Sequence, residues 1–374
     1  MTRFSRLTAA FVLAIPSVSA QLNQLSQAAG KLYFGSATDN GELSDTEYVS
    51  ILKDANMFGQ ITPGNGQKWQ YTEPSQNSFS YDAGDEILDF AESNGQIIRC
   101  HTLVWYSQLP SWVSDGSWTT SQLTDIINAH IANEVEHYKG RCYAWDVVNE
   151  ALNEDGTYRE NVFFNVLSES YIPLAFEAAA AADPDAKLYY NDYNIEGDSE
   201  KHAGAVRIVD LIKTAGAKID GVGMQAHLIV GSVPTDAEIQ TAMNRFLDAG
   251  VAEVAFTELD IRFSSLPPSD ADLQQQATDY GTVTSACLSI SACVGITIWD
   301  YTDKYSWIPD VFEGAGAALL WDENLSPKPA YSSISSILAA AATGATGSAT
   351  TIVPTTGASV TAAPTSTLIT STRV

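Results

Sequence analysis

This 374-residue sequence predicts an α/β fold, a closed (β/α)8 TIM barrel forming a single domain. Three observations point there. Eight apolar runs of strand length alternate with eight stretches patterned as helices, the order that produces parallel pairing. No Gly-rich phosphate loop opens a helix after an early strand, as a doubly wound open sheet usually requires. Gly64-Asn65-Gly66 has the wrong spacing and no helix directly behind it. Finally, polar and aromatic residues gather at the C-terminal ends of the strands, the rim where such barrels place their chemistry.

The predicted strands cover residues 32–37, 58–62, 96–102, 143–149, 187–191, 221–226, 253–259 and 295–299. The fourth is the clearest. Tyr143, Ala144, Trp145, Val147 and Val148 make a run suited to burial on both faces, and it ends abruptly on Asn149 and Glu150. The seventh has the same design, Val254-Ala255-Phe256 leading to Thr257-Glu258-Leu259-Asp260. Helices fit between them at 45–56, 83–93, 120–138, 161–182, 200–215, 236–249, 271–288 and 331–339. Thr119 or Thr120 starts the third, and Thr235-Asp236 with Glu238 starts the sixth.

Both ends of the chain stand apart. Residues 1–20 carry Arg3 and Arg6, an apolar run and the small residues Ser17-Val18-Ser19-Ala20, the layout of a secretory signal peptide. The run is too short to span a bilayer. From 340 to 374 the sequence is almost wholly Ala, Thr, Gly, Ser, Val and Pro, which predicts a disordered, O-glycosylated tail. The domain is therefore expected at 21–339, in a secreted, extracellular protein. The formal net charge is −26, and −28 once Arg3 and Arg6 leave with the signal peptide. That excess argues against nucleic acid or an anionic membrane as partner.

Of four cysteines, Cys287 and Cys293 flank a short connection before the last strand, where a disulfide is expected in an oxidising compartment. Cys100 falls near the end of the third predicted strand and Cys142 at the start of the fourth. Strand rise would hold them beyond the roughly 7 Å Cα limit of a bridge, so two buried free thiols are expected. The spacings contain no zinc signature.

The strand ends carry the chemistry. Asn65, Lys68 and Trp69 follow the second strand, and His101, Trp105 and Gln108 end the third. Asn149 and Glu150 end the fourth, and Asn191, Asp192 and Tyr193 the fifth. Gln225 and His227 follow from the sixth, Glu258 and Asp260 from the seventh, and Trp299, Asp300 and Trp307 from the eighth. Such a rim suits a neutral, hydroxyl-rich ligand, with aromatic faces for sugar rings and amides for hydroxyls. Glycoside cleavage needs one carboxylic acid for the leaving oxygen and one carboxylate on the other face of the ring. Glu258, within reach of His227 and Asp260, is placed to stay ionised as a nucleophile. Repulsion from Glu258 favours a proton on Glu150, as a general acid needs. Asn149 is placed to hold the sugar 2-hydroxyl.

On these residues the chain resembles the family 10 glycoside hydrolases, secreted endo-1,4-β-xylanases built on a (β/α)8 barrel. The motifs are Asn65-Gly66-Gln67-Lys68-Trp69, His101-Thr102-Leu103-Val104-Trp105, Trp145-Asp146-Val147-Val148-Asn149-Glu150, Gly223-Met224-Gln225-Ala226-His227, Thr257-Glu258-Leu259-Asp260 and Ile298-Trp299-Asp300-Tyr301-Thr302-Asp303. The resemblance implies a retaining double displacement on xylan and xylo-oligosaccharides, with Glu150 as acid/base, Glu258 as nucleophile, and His227 and Asp260 in support. Asn65 and Lys68 would contact sugar on the non-reducing side of the cut. His101, Trp105, Gln108, Asn149, Gln225, Trp299 and Trp307 would line the subsites. No cofactor or metal is implied, and a monomer is expected.

Two positions depart from the family's habit. Tyr106 stands where it commonly has His, and Cys100 where it commonly has Gly, the thiol being expected to fill core space. The nearest alternative activity is another retaining barrel glycosidase acting on cellulose or mannan. Bulky Trp299 and Trp307 against the sugar C5 substituent would exclude a hydroxymethyl group and favour xylose. A non-catalytic polysaccharide-binding or inhibitory barrel would be expected to have lost one glutamate or its supports, and none is missing.

Overall fold

The computed structural model of the chain describes residues 21–346. The predicted signal peptide and the tail from 347 onward lie outside them. Strands β1 (Tyr33–Thr38), β2 (Gln60–Pro63), β3 (Ile97–Trp105), β4 (Ala144–Asn149), β5 (Lys187–Asp192) and β6 (Gly221–Met224) follow one another around a ring. A three-residue strand, β7 (His227–Ile229), comes next, then β8 (Glu253–Arg262) and β9 (Cys293–Ile298). Every ladder is parallel; β9 pairs with β1, and β6 pairs with β8, which closes an eight-stranded barrel. The extra strand β7 lies along the outer end of β8, with His227 opposite Asp260.

All eight predicted strands are present, with ends shifted. The largest shifts matter to the site. β3 and β8 each run three residues past their predicted ends, carrying Trp105 and Asp260 up to the rim. Strand alternation aims Arg99 and His101 into the barrel and Cys100 outward. Inside, Arg99 donates to Asp146 at 2.9 Å and lies 4.3 Å over the Tyr189 ring, while Glu253 accepts from the Tyr143 and Tyr189 hydroxyls. Tyr189 and Tyr33 fill this lower layer so tightly that a Cβ on Gly221 or Gly295 would come within 2.5 and 2.7 Å of their rings. The main apolar core lies outside the ring, between strands and helices, around Trp145, Val147, Ile172 and Phe176.

Three features differ from expectation. The helix predicted at 161–182 is two, Val162–Leu167 and Tyr171–Ala182, broken at Ser168, whose φ is 53°. Pro173 explains why the second begins afresh: lacking an N–H, it is tolerated in a first turn but not in a helix interior. The last helix runs Pro329–Thr346, into the stretch assigned to the tail, because the alanine run 339–342 favours helix and Ala342 is buried. An unpredicted helix, Leu22–Ala28, packs against β1 and this last helix. Among the described residues no helix is long and apolar enough to cross a membrane.

The cysteine expectation is corrected in one half. Cys287 and Cys293 are bridged, as predicted, but Cys100 and Cys142 are bridged too, with Cα atoms 5.7 Å apart. The error lay in extrapolating β4 downward as straight strand. β4 begins only at Ala144, and Tyr143 sits at a bend, so Cys142 is turned towards the outward side of β3 where Cys100 points. The thiol at Cys100 is therefore a cross-link rather than core filler. It closes 42 residues between neighbouring strands. Replacing both cysteines with alanine is expected to lower unfolding stability by roughly 2–4 kcal/mol. A urea melt with an unchanged midpoint would contradict a structural role.

Candidate active site

A cleft of about 1020 Å³ opens at the C-terminal ends of the strands. Glu150 and Glu258 both line it, as do Asn65, Lys68, His101, Trp105, Gln108, Asn149, Gln225, His227, Trp299 and Trp307. Of the residues given catalytic, supporting or subsite roles from the sequence, Asp260 alone lies outside the lining. It is fully buried behind His227.

Glu258 sits near the outer part of β8 with only 5% of its surface exposed. Its Oε2 is 3.1 Å from His227 Nε2, and His227 Nδ1 is 2.8 Å from Asp260 Oδ2. Its Oε1 accepts from Asn191 Nδ2 at 2.7 Å. Burial alone would push the His227 imidazole down, but Asp260 and then Glu258 outweigh it and raise its pKa to about 10. His227 is therefore a cation at neutral pH. Burial likewise pushes the Glu258 carboxyl up, yet the bonds from His227 and Asn191 and the charge of His101 hold it below the ordinary value. The sequence geometry behind this is short. Ala226, at φ 60°, turns the chain out of β6, and β7 then lays His227 beside Asp260.

Glu150 is held by its backbone as well as its side chain. Its φ is 56°, a left-handed conformation costing about 1–3 kcal/mol in a non-glycine residue. Its N–H donates to Asn191 O at 2.9 Å and its carbonyl accepts from Arg159 Nε at 3.2 Å, which fix the turn. Trp105 Nε1 donates to Oε2 at 2.9 Å; Gln225 Nε2 and Asn149 Nδ2 donate to Oε1 at 3.0 and 3.3 Å. Asn149 Oδ1 in turn accepts from Gln225 and from Asn191, so three amides connect the two carboxyls without a gap.

The far end of the cleft is a second cluster. Lys68 Nζ donates to Asn65 Oδ1 at 3.0 Å and Gln108 Oε1 at 2.7 Å, and lies 4.9 Å over the Trp105 ring. Burial pushes the Lys68 ammonium down, against the pull of Glu258, Asp39 and Glu150. Asn65 also donates to Asp39. Trp299 meets His101 edge-on at 5.3 Å and Trp307 meets His227 at 4.9 Å, with Trp307 Nε1 donating to Asp260. His101 is steadied from below by Asp146 at 3.0 Å. At the departing position, the Tyr106 ring carries the Arg159 guanidinium at 4.3 Å, and burial and then Glu150 push its phenol up to about 12.

The profile of the family described as "Glycosyl hydrolase family 10" matches residues 21–337, most of the chain. The chain belongs to this family. It is 58% identical over 312 residues to "Endo-1,4-beta-xylanase D" of Talaromyces funiculosus, covering 83% of this chain and 76% of that protein. It is 56% identical over 316 residues to "Endo-1,4-beta-xylanase A" of Phanerodontia chrysosporium, covering 84% and 76%. The solved endo-1,4-beta-xylanase XylE of Penicillium canescens superposes with a TM-score of 0.83 at 41% identity, over 86% of this chain and 98% of that one. A family 10 xylanase from Bispora sp. MEY-1, solved with xylobiose, superposes at 0.82 and 39% identity, over 85% and 99%.

Sequence reasoning passed over several residues of this glycosyl hydrolase site. Asn191, which bonds Glu258, Asn149 and the Glu150 backbone, stood in view as a polar residue ending an apolar strand. Asp39 directly follows β1, the one strand whose end carried no residue singled out from the sequence. Asp146 and Arg159 gave no signal, one hidden inside a strand and the other in a loop. The His227 clamp generates a direct test. In His227→Asn the cation is gone while burial stays, so the Glu258 carboxyl should titrate at a higher pH than in the parent. Carbon-13 NMR of labelled glutamate checks this, and an unmoved midpoint would contradict the clamp.

Proposed function

We propose that this chain is an endo-1,4-β-xylanase that hydrolyses internal bonds of xylan with net retention of anomeric configuration. The observation that carries the reading is the asymmetry between the two carboxyls. Glu258 is tied to a buried cation and kept ionised, whereas the Glu150 carboxyl accepts only from neutral donors, on Trp105, Gln225 and Asn149. An ionised Glu258 attacks the anomeric carbon while Glu150 gives its proton to the departing glycosidic oxygen, leaving a glycosyl ester on Glu258. Glu150, now a carboxylate, takes a proton from water, which attacks the same carbon and releases Glu258.

His227 and Asp260 act in this scheme as positioning groups, the second fixing the ring of the first. Asn149 and Gln225 would meet the hydroxyls of the sugar at the cut, beside His101 and Trp105. Asn65, Lys68 and Gln108 would hold the sugar on its non-reducing side. Trp299 and Trp307 would close the space at C5 that a hexose hydroxymethyl group needs, which favours xylan over cellulose and mannan. The signal-peptide layout of residues 1–20 supports action outside the cell, and the proposed enzyme acts as a monomer on a neutral polymer with no cofactor.

Two measurements test this. Activity on xylan should exceed that on carboxymethylcellulose and mannan, and the reverse order would sink the substrate assignment. Glu258→Ala should lose roughly 10^4-fold or more in turnover. Azide should restore part of it on an activated xyloside and yield the α-glycosyl azide; a β-azide from this variant would reverse the two roles.

A further inference from the structure

Among the residues lining the cleft the only lysine or arginine side chains are Lys68 and Arg262. Lys68 is engaged by Asn65 and Gln108. Arg262 is different: among the described residues its guanidinium has no salt bridge or hydrogen bond, although the exposed Asp310 lines the same cleft. Its one partner is the Phe312 ring, 4.2 Å beneath the guanidinium, which leaves the N–H edges free. In a chain of net charge −26, an unspent arginine in a substrate cleft calls for a ligand.

Its height says which part of the ligand. Arg262 is the last residue of β8, four beyond Glu258 and on the same face by the two-residue period. Strand rise puts its Cα about 13 Å above that of Glu258. It therefore stands over the backbone at the cut and meets what projects from it. The xylan backbone is uncharged, so a free guanidinium gives nothing there that a neutral amide would not. A planar, bidentate donor matches a carboxylate. The neighbouring Val311, 60% exposed, and Phe312 offer apolar surface for the face of a pyranose ring.

We propose that Arg262, seated on Phe312, forms a branch subsite that binds the carboxylate of a uronic acid carried on the xylan backbone. The inference rests on the xylanase reading and makes the enzyme selective for where a charged branch lies along its substrate. The test compares kcat/KM on glucuronoxylan with kcat/KM on the same polymer after its uronate carboxyls have been reduced to alcohols. For the unaltered enzyme the native polymer should be favoured, and 0.5 M NaCl should shrink that preference by screening. In Arg262→Gln the native-to-reduced ratio should fall roughly two- to fivefold, and Arg262→Lys should recover part of it. A ratio unchanged by Arg262→Gln, or insensitive to salt in the parent, would overturn the subsite while leaving the xylanase reading intact. An unaltered enzyme inactive on both polymers and on unbranched xylo-oligosaccharides would remove the two together.

Discussion

The pair of hydrogen bonds to His227 is the interaction on which the rest of the site depends. A carboxylate as buried as Glu258 is costly unless a charge and good hydrogen bonds accompany it into the protein. His227 supplies both, and it can do so only because Asp260 keeps its ring charged and oriented. The triad is built from consecutive turns of one local device: a left-handed Ala226, a three-residue strand and the extended end of β8. Trp307 then closes over it by donating to Asp260, so an aromatic wall of the cleft is tied to the charge that governs Glu258.

A second support rises through the barrel itself. Arg99 holds Asp146, Asp146 holds His101, and His101 adds its charge near Glu258 while meeting Trp299 edge-on. On the facing side, Thr257 donates to Asn191 Oδ1 at 2.6 Å and so aims the Asn191 amide at Glu258 and Asn149. Strain is concentrated at the same rim. Glu150, Ala226 and Asp300 all adopt positive φ just where a strand gives way to its loop. Each conformation is unfavourable for a non-glycine residue, and in Glu150 it is maintained by the Asn191 and Arg159 bonds on either side of the residue.

Much of this was legible because burial and periodicity are local in sequence. Continuous apolar runs marked all eight barrel strands, and polar residues at the ends of seven of them marked the rim. The same logic singled out both glutamates and eleven neighbouring or supporting positions only in so far as their chemistry was distinctive. It placed Asn191 at the rim without giving it a role, because its importance lies in three simultaneous bonds that only the folded ring creates. It misjudged Cys100 and Cys142 because a bend at Tyr143 is invisible to a strand-rise argument, and it ran one helix through Ser168 because helical periodicity continues on both sides of the break. The end of the last helix was misplaced for a related reason. Alanine-rich sequence favours a helix and a low-complexity tail alike, and packing decides between them.

The proposed mechanism stands on an ionised Glu258 as the nucleophile of a retaining reaction. Proton NMR of the anomeric signals during the first minutes of xylo-oligosaccharide hydrolysis tests it most directly. The β-anomer of the newly formed reducing end should appear first and then mutarotate towards equilibrium. Initial appearance of the α-anomer would mean a single displacement by water, and would contradict the role given to Glu258 and to the clamp that surrounds it.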